Sequence, residues 1–447
     1  MKPYSLQQLA DAMSGILLQG GGERIIATGV STDTRSIPDG ALFFALAGEN
    51  FDAHNFLAQA AEAGAGALVV QDAAKLPEGI PAVLVPDTLE ALQALAKWYR
   101  AELGIPVIAI TGSNGKTSTK DLTRSVLSRK FRVNATLGNL NNHIGLPLTV
   151  LATQDDDEVG VFEMGMNHSG ELAPLCEIGR PDISIITNVG TAHIEHLGSR
   201  EAIALEKGTV ARALDKSGTL LVPSDCNFVE EFRASTPAKV VTVGEGTIRA
   251  ENIEPGEAGS SFDLVIDDLG RIKTSIAVPG QHMISNALLA AGAGAILGLS
   301  LEEISTGLKS AGLTSGRLRR YESGGVTVID DTYNANPESV LAALHTLAGL
   351  PGSGHRIVVL GMMAELGDHA VEAYSRIGRV ACELGLSLVT VGEEAAAYGA
   401  KDHFNNHEEA ATWLSGATGS GDTVLFKGSR MAAMEQVMKH AFPEKTP

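Results

Sequence analysis

Residues Thr111-Gly112-Ser113-Asn114-Gly115-Lys116-Thr117 put two glycines, a lysine and hydroxyls where an apolar run, 106–111, gives way to a stretch with helical spacing, 116–130. That combination suits a phosphate group. Glycines let the backbone wrap the ligand, amides at a helix start bind its oxygens, the lysine neutralises charge and the threonine reaches a divalent cation. The usual eight-residue phosphate loop would place glycine at position 110, where this chain has Ile110, so the loop is a shortened variant. Gly112, Ser113, Asn114, Gly115, Lys116, Thr117 and Ser118 are the candidate nucleotide-binding residues.

Other chemistry-bearing residues fall at the ends of further apolar runs. Glu163 ends the run 158–164, and Asn188 and His193 follow the run 182–188. Ligands of open parallel sheets bind at the carboxyl ends of strands, so these residues share an edge with the phosphate loop. A carboxylate and an imidazole beside a triphosphate suit a divalent metal. Later in the chain Asp330-Asp331, Gly361, Gly392 and Lys427-Gly428-Ser429-Arg430 sit where strands should end. Each alone is an ordinary turn; together they describe a second ligand surface facing the first across a cleft. The residues thus lead to an ATP-using, Mg²⁺-dependent enzyme with an interdomain site, and not to its substrate.

The elements that must position these residues alternate. The runs 41–46 and 67–70 read as strands with a helix at 55–63 between them. Strands at 106–111, 158–164 and 182–188 alternate with helices at 116–130 and 169–179, and two antiparallel strands, 261–266 and 273–278, follow. Strands at 326–331, 356–361, 386–391 and 422–427 alternate with helical runs again. Apolar strands alternating with helices imply parallel sheets covered on both faces. Breaks at 101–106 and 310–317 divide the chain at 1–103, 104–313 and 314–447. The expected fold is α/β in three domains: a small α/β cap, a central parallel-sheet domain carrying the phosphate loop, and a C-terminal Rossmann-like domain.

Composition narrows the function classes. With 447 residues, 44% of them hydrophobic and 19% charged, the chain can bury real cores. A net charge of −19 disfavours broad nucleic-acid or anionic-membrane binding. The acidic run Asp155-Asp156-Asp157-Glu158 reads as a solvated loop, since no calcium-loop spacing surrounds it. Cys176, Cys226 and Cys382 are odd in number and widely spaced, which fits free thiols in a reducing compartment. The apolar stretch Ala287–Leu301 is too short to span a bilayer and reads as a buried helix. No secretory leader pattern opens the sequence, so a cytoplasmic protein without membrane insertion is expected.

The chain resembles the Mur ligases of bacterial cell-wall synthesis over essentially its whole length. The resemblance rests on Ser31–Ser36 (STDTRS), Gly48–His54 (GENFDAH), the phosphate loop, Asn139–Pro147 (NLNNHIGLP), Glu163–Gly165 (EMG) and Thr187–His193 (TNVGTAH). It continues through Glu206–Gly208 (EKG), Gly280–Asn286 (GQHMISN), Asp330–Pro337 (DDTYNANP), Glu365–Gly367 (ELG) and Lys427–Arg430 (KGSR). The Asp331–Pro337 run and the Lys427–Arg430 ending point to the member that joins D-alanyl-D-alanine to UDP-N-acetylmuramoyl-tripeptide.

The resemblance implies a mechanism and a set of roles. ATP phosphorylates the terminal carboxylate of the tripeptide, and the dipeptide amine displaces phosphate from the acyl phosphate. Lys116, His193 and Lys207 are the implied catalytic residues. Thr117, Glu163, His193 and Lys207, the last as a carbamate, are the implied ligands of two Mg²⁺ ions. Asn286 is implied to meet adenine, Arg317 the phosphates and Asp331 the ribose. Thr34, Arg35, Ser36, Gly48, Asn50, Asp52 and His54 are implied to hold UDP, and Asn142 to face the tripeptide. A cytoplasmic monomer is expected.

Four positions depart from the family pattern. Met283 stands where asparagine is common, Met362 where aspartate is, Thr191 for proline, and Tyr374 near an expected histidine. Competing readings are the ligase adding the third residue, a folylpolyglutamate synthase, and a nucleotide-driven switch or transport ATPase. The Asn-Ala-Asn-Pro run argues against the first two, and Ile110 with the single Glu163 against the third. A dinucleotide-binding dehydrogenase is disfavoured by the Gly-Lys-Thr at the first strand–helix turn.

Overall fold

The computed structural model describes residues 1–26, 28–256 and 259–444. Three large sheets follow one another along the chain, beside two two-stranded pairs, Tyr4–Ser5 with Ile25–Ile26 and Ala47–Gly48 with Phe51–Asp52. The first has five strands in the spatial order Ile16–Leu18, Ala82–Leu84, Ala67–Val70, Leu42–Phe44 and Val30–Ser31, parallel except for the first pair. The segment 41–46 pairs only over Leu42–Phe44, and the helix expected at 55–63 is a 3₁₀ turn, Ala53–Phe56, running into an α-helix, Leu57–Glu62.

Helix α1 (Thr88–Glu102) leaves this sheet, capped by the Asp87 side chain on the amides of Leu89 and Glu90. Strand β1 (Val107–Thr111) then opens a nine-stranded sheet. Helix α2 (Lys116–Leu127), helix α3 (Gly145–Leu151), strand β2 (Val159–Glu163), helix α4 (Leu172–Gly179) and strand β3 (Ile183–Ile186) follow. β1 lies between β2 and β3, parallel to both, with Ile110 opposite Glu163 and Thr111 opposite Ile186. The carboxyl ends of these three strands therefore meet at one edge. Helix α5 (Arg200–Lys207) follows, and Glu206 at its end accepts the amides of Gly170 and Leu172 at 2.9 Å each. That cap explains why α4 starts at Leu172 and not at 169.

Three further parallel strands, Val133–Ala135, Thr219–Pro223 and Lys239–Val243, had no expectation attached to them. The expected antiparallel pair is part of a three-stranded ribbon, Ile248–Gly256, Gly259–Ile266 and Gly270–Ile276, whose first strand is bulged between Glu251 and Glu254. Helix α6 (Gln281–Ile296) is buried along most of its length, but it ends five residues before the expected Leu301. Gly298 turns the chain with φ 75°, and Ser300 caps the next helix, α7 (Leu301–Lys309).

The third sheet has six strands ordered Arg319–Ser323, Val326–Asp331, Thr423–Lys427, Arg356–Leu360, Ser387–Val391 and Asp402–Phe404, parallel except for the first pair. Helix α8 (Pro337–Gly349) starts at an Asn336 cap. The cores run across both junctions. α1 contributes Leu92, Leu95, Ala96 and Tyr99 to a cluster with Leu146, Val150, Leu172 and Leu175, while Val340, Leu344 and Leu347 of α8 share a cluster with α6. Asp155 and Asp156 are exposed and pair with Lys2 and Arg132, in keeping with a solvated acidic loop. The three cysteines are free, and no helix of the described residues is long and apolar enough to cross a membrane.

Candidate active site between the second and third sheets

The phosphate loop is braced from below by the segment after β3. Asn188 accepts the Asn114 amide through Oδ1 (2.9 Å) and donates to the Asn114 carbonyl (3.1 Å), while Gly190 N–H donates to Ser113 Oγ (2.9 Å). Gly112 has φ 152°, and a Cβ there would lie 1.8 Å from Thr187 Oγ1, so the approach of the two loops admits only glycine. Gly115 caps α2 with φ 78°, and Asn286 of α6 packs on it closely enough that a Cβ would be 2.8 Å from Asn286 Oδ1. Lys116 folds back to the Gly112 carbonyl (2.8 Å), and burial lowers its pKa, with Glu163 opposing the shift.

Thr117 and Glu163 meet at the strand ends. The Thr117 hydroxyl donates to Glu163 Oε2 (3.0 Å) and accepts from Arg317 Nη2 (3.3 Å). Asn141 holds the other carboxylate oxygen (2.8 Å), and Thr136 Oγ1 accepts the Glu163 amide (2.9 Å). Arg317 stacks on Tyr333, 4.1 Å from guanidinium to ring centroid, and its Nε is buried with no partner. Asp331 pairs with Lys427 Nζ at 2.6 Å, and Lys427 also reaches the Asn334 carbonyl (2.9 Å). His193, in a left-handed conformation (φ 65°), hydrogen-bonds Glu365, also left-handed, and this bond holds the Glu365 carboxyl below the usual carboxylate range.

Lys207 stands apart. It is 1% exposed, and its ammonium makes no hydrogen bond or ion pair among the described residues. Burial drives its pKa far down, the Lys116 cation adds to the shift, and Glu206 opposes it. Glu206 is already committed to capping α4.

These residues surround a cavity of about 1320 Å³ bounded by the second and third sheets. Ser113 through Ser118, Asn142, Glu163, His193, Asn286, Arg317, Asp331 and Lys427 all line it. Lys207 is not among the lining residues. The residues expected to hold UDP are elsewhere, in the first sheet's loops, and do not line this cavity. Arg35 is exposed and paired with Asp33 at 2.6 Å; Thr34 is half-buried, and Ser36, Gly48 and Asn50 are exposed. Asp52 pairs with Lys75 and with the buried His54 at 2.7 Å each, and His54 Nε2 accepts the Gln71 amide.

Sequence reasoning missed one wall and one contact. Ala250, Ile253, Pro255 and Ser260 of the bulged ribbon line the cavity, in a stretch to which the sequence reading assigns no element. Glu338 accepts from Thr191 N–H (2.9 Å) and Thr191 Oγ1 (3.1 Å), and Asn336 donates to Asn114 Oδ1 (2.7 Å), so α8's start is tied to the phosphate-loop edge. Three of the four departures find partners: proline at 191 would supply no N–H, and the Tyr374 hydroxyl bonds both backbone polar groups of Met363, at 2.8 and 3.2 Å. Met283 contacts Asn286 Nδ2 through sulfur at 3.6 Å.

Comparison with known proteins decides the family. Residues 27–100 match the Mur ligase family catalytic domain, 110–294 the Mur ligase middle domain, and 316–430 the Mur ligase glutamate ligase domain. The UDP-N-acetylmuramoyl-tripeptide--D-alanyl-D-alanine ligase of Bacillus subtilis (strain 168) is 37% identical over 454 residues, covering 97% of each chain. The chain is a member of the Mur ligase family. The Escherichia coli (strain K12) ligase of the same name is 36% identical over 98% of each chain. Among solved structures, MurF from Acinetobacter baumannii superimposes with TM-score 0.92 at 34% identity, covering 99% of this Mur ligase and 100% of that chain. MurF from Thermotoga maritima in complex with ADP gives TM-score 0.83 at 26% identity over 92% of this chain and 96% of that one. The expected three-domain α/β architecture is the one this Mur ligase has.

Proposed function

We propose that the chain is an ATP-dependent ligase that joins D-alanyl-D-alanine to UDP-N-acetylmuramoyl-tripeptide, releasing ADP and phosphate with the UDP-linked pentapeptide. The full-length likeness to the Bacillus subtilis ligase carries this reading. In the first step a tripeptide carboxylate oxygen attacks the γ-phosphorus and ADP leaves. In the second the dipeptide amine attacks the acyl carbon, phosphate leaves, and the amine loses its proton. Both steps rely on positioning and electrostatics more than on covalent help from the protein.

The roles proposed are those the family resemblance implies. Gly112 to Ser118 cradle the phosphates, Lys116 neutralises the transferring group, Arg317 meets the phosphates, and Asn286 and Asp331 take the adenine and ribose ends. Thr34, Arg35, Ser36, Gly48, Asn50, Asp52 and His54 hold UDP on the first domain, and Asn142 faces the peptide. The three domains are read as residues 1–103, 104–313 and 314–447, acting as a monomer in the cytoplasm.

Mg²⁺ fits the donors present. Thr117 and Glu163 offer adjacent hard oxygens, which suits an ion that keeps waters and substrate phosphates as its remaining ligands. His193 joins them in the reading, while no group of three histidine, cysteine or acidic side chains is clustered tightly enough to hold a metal by itself among the described residues. Bound Mg²⁺ supplies charge neutralisation on the phosphate oxygens. Lys207 is read as a carbamate: the neutral amine adds to CO₂ and releases a proton, and burial favours that neutral amine. The product anion lies within the field of the Lys116 cation.

Phosphate release from ATP is measured with Mg²⁺, the UDP-linked tripeptide and D-alanyl-D-alanine, omitting each in turn. Release that needs all four, with a UDP-linked pentapeptide by mass, is the expected result. ATP turnover without either substrate overturns the ligase reading.

A further inference from the structure

Arg317 belongs to the segment joining the second and third sheets, yet its guanidinium sits at the first turn of α2. Something must fix a connecting segment for that to hold, because a free linker arginine would sample many positions. Asp121 does so. It lies one turn beyond Thr117 on the same face of α2, with a nearly buried side chain, 9% exposed. Its Oδ2 accepts both the amide and the hydroxyl of Thr314, at 2.8 Å each. Its Oδ1 pairs with Lys120 Nζ (2.9 Å), and Lys120 in turn donates to the Thr136 carbonyl (3.0 Å), so the carboxylate is held from behind.

Two residues later the strap is pinned to the other domain. The Gly316 carbonyl accepts the Tyr333 amide (3.2 Å), Gly316 has φ 77°, and the Leu318 side chain is buried in the shared core. Arg317 therefore hangs between an anchor on the phosphate-loop helix and an anchor beside its own stacking partner, Tyr333. Its unpartnered Nε and its place on the cavity wall leave it free to meet an anionic ligand.

We propose that Asp121 is a positioning residue for nucleotide binding: by clamping Thr314 it registers Arg317 over the phosphate loop, without touching the nucleotide itself. This rests on the ATP reading of Arg317 given above. Two charge-assisted hydrogen bonds from one carboxylate oxygen to adjacent donors make a stiff joint. Losing it frees the strap and lowers the fraction of protein with Arg317 in place, which weakens apparent affinity by that fraction.

The test is a double-mutant cycle on the full chain, reading ADP affinity by calorimetry and the KM and kcat for ATP. Arg317→Ala is expected to weaken ADP binding by about tenfold or more, the scale of a lost hydrogen bond to a charged group. Asp121→Asn and Thr314→Val, which removes only the hydroxyl donor, are expected to raise KM for ATP severalfold with little change in kcat. In the Arg317→Ala background both should then have no further effect, because their influence passes through that arginine. Thr314→Val is the milder variant and keeps the test usable should Asp121→Asn leave Lys120 unpaired and fold poorly. If Arg317→Ala does not alter ADP affinity, the phosphate reading of Arg317 falls and the proposal with it. If Arg317→Ala weakens binding while Asp121→Asn and Thr314→Val act equally in both backgrounds, the ATP reading stands and the positioning role of Asp121 is overturned.

Discussion

Lys207 is a lysine in an environment that resists an ammonium: buried, without a hydrogen-bond partner, and near a second cation, Lys116. Its behaviour should follow dissolved CO₂. Activity is expected to fall in CO₂-depleted buffer and return with bicarbonate, and Lys207→Ala should lose on the order of 10²-fold or more in kcat, as removal of an electrostatic stabiliser does. An activity indifferent to CO₂ would remove the carbamate from the mechanism. His282 gives a separate prediction. Burial pushes its pKa from the ordinary 6.5 down to about 4, with Asp331 opposing and Lys427 assisting. Between those values the unfolded chain binds the extra proton, so stability should fall as pH drops from 6.5 towards 4 and be unaffected by this group at higher pH. Urea unfolding across that range should show the slope, and His282→Gln should reduce it. The phosphate loop was legible because its chemistry is local, seven consecutive residues between a strand and a helix. Lys207's burial was not, because nothing within several positions of it announces which elements will cover it. Glu338 was missed for the same reason: its partner lies 147 positions away.

At the scale of elements, α2 is positioned from several sides, and its fit to α7 is tight. A Cβ on Gly307 would lie 2.4 Å from Val126 Cα, a backbone atom that cannot swing aside. The Gly307 carbonyl also accepts from Ser125 Oγ (2.7 Å) at the same crossing. Gly307→Ala should therefore cost about 1–3 kcal/mol of stability despite alanine's better helix propensity. Calorimetry showing a raised Tm for that variant would contradict the close packing. Element type was readable wherever apolar runs were bounded by glycine or proline, as at 67–70 and 326–331, where the bounds match the sequence reading. Ile248–Gly256 carries no assignment, because its Glu251, Asn252, Glu254 and Pro255 interrupt any apolar run. That strand is bulged and its middle exposed, so its pattern lacks the alternation of a half-buried strand. The same bulge brings Ile253 and Pro255 to the cavity wall.

For the molecule as a whole, the site exists only while the third sheet's domain faces the phosphate loop. Polar contacts hold it there: Glu338 to Thr191, Asn336 to Asn114, and Glu365 to His193. Thr191→Pro removes an N–H donor and a hydroxyl from the first of these. Small-angle scattering without ligand should show a larger radius of gyration for that variant than for the parent chain, with the difference closing when ATP analogue and the UDP-linked tripeptide are added. Identical curves in both states would mean that the apolar seam alone sets the domain arrangement. The first junction is built differently. Tyr99 of α1 is fully buried and donates to the Thr153 carbonyl (2.7 Å), and Arg100 donates to the carbonyls of Gly179, Leu103 and Arg180. By chain connectivity α1 belongs to the first sheet; by contact it is a wall of the second. Exchange of the first hundred residues with those of a relative would thus replace half of a foreign interior. A working chimera of two such ligases has to inherit α1 together with α3 and α4, so the unit that can be recombined is the seam and not the domain.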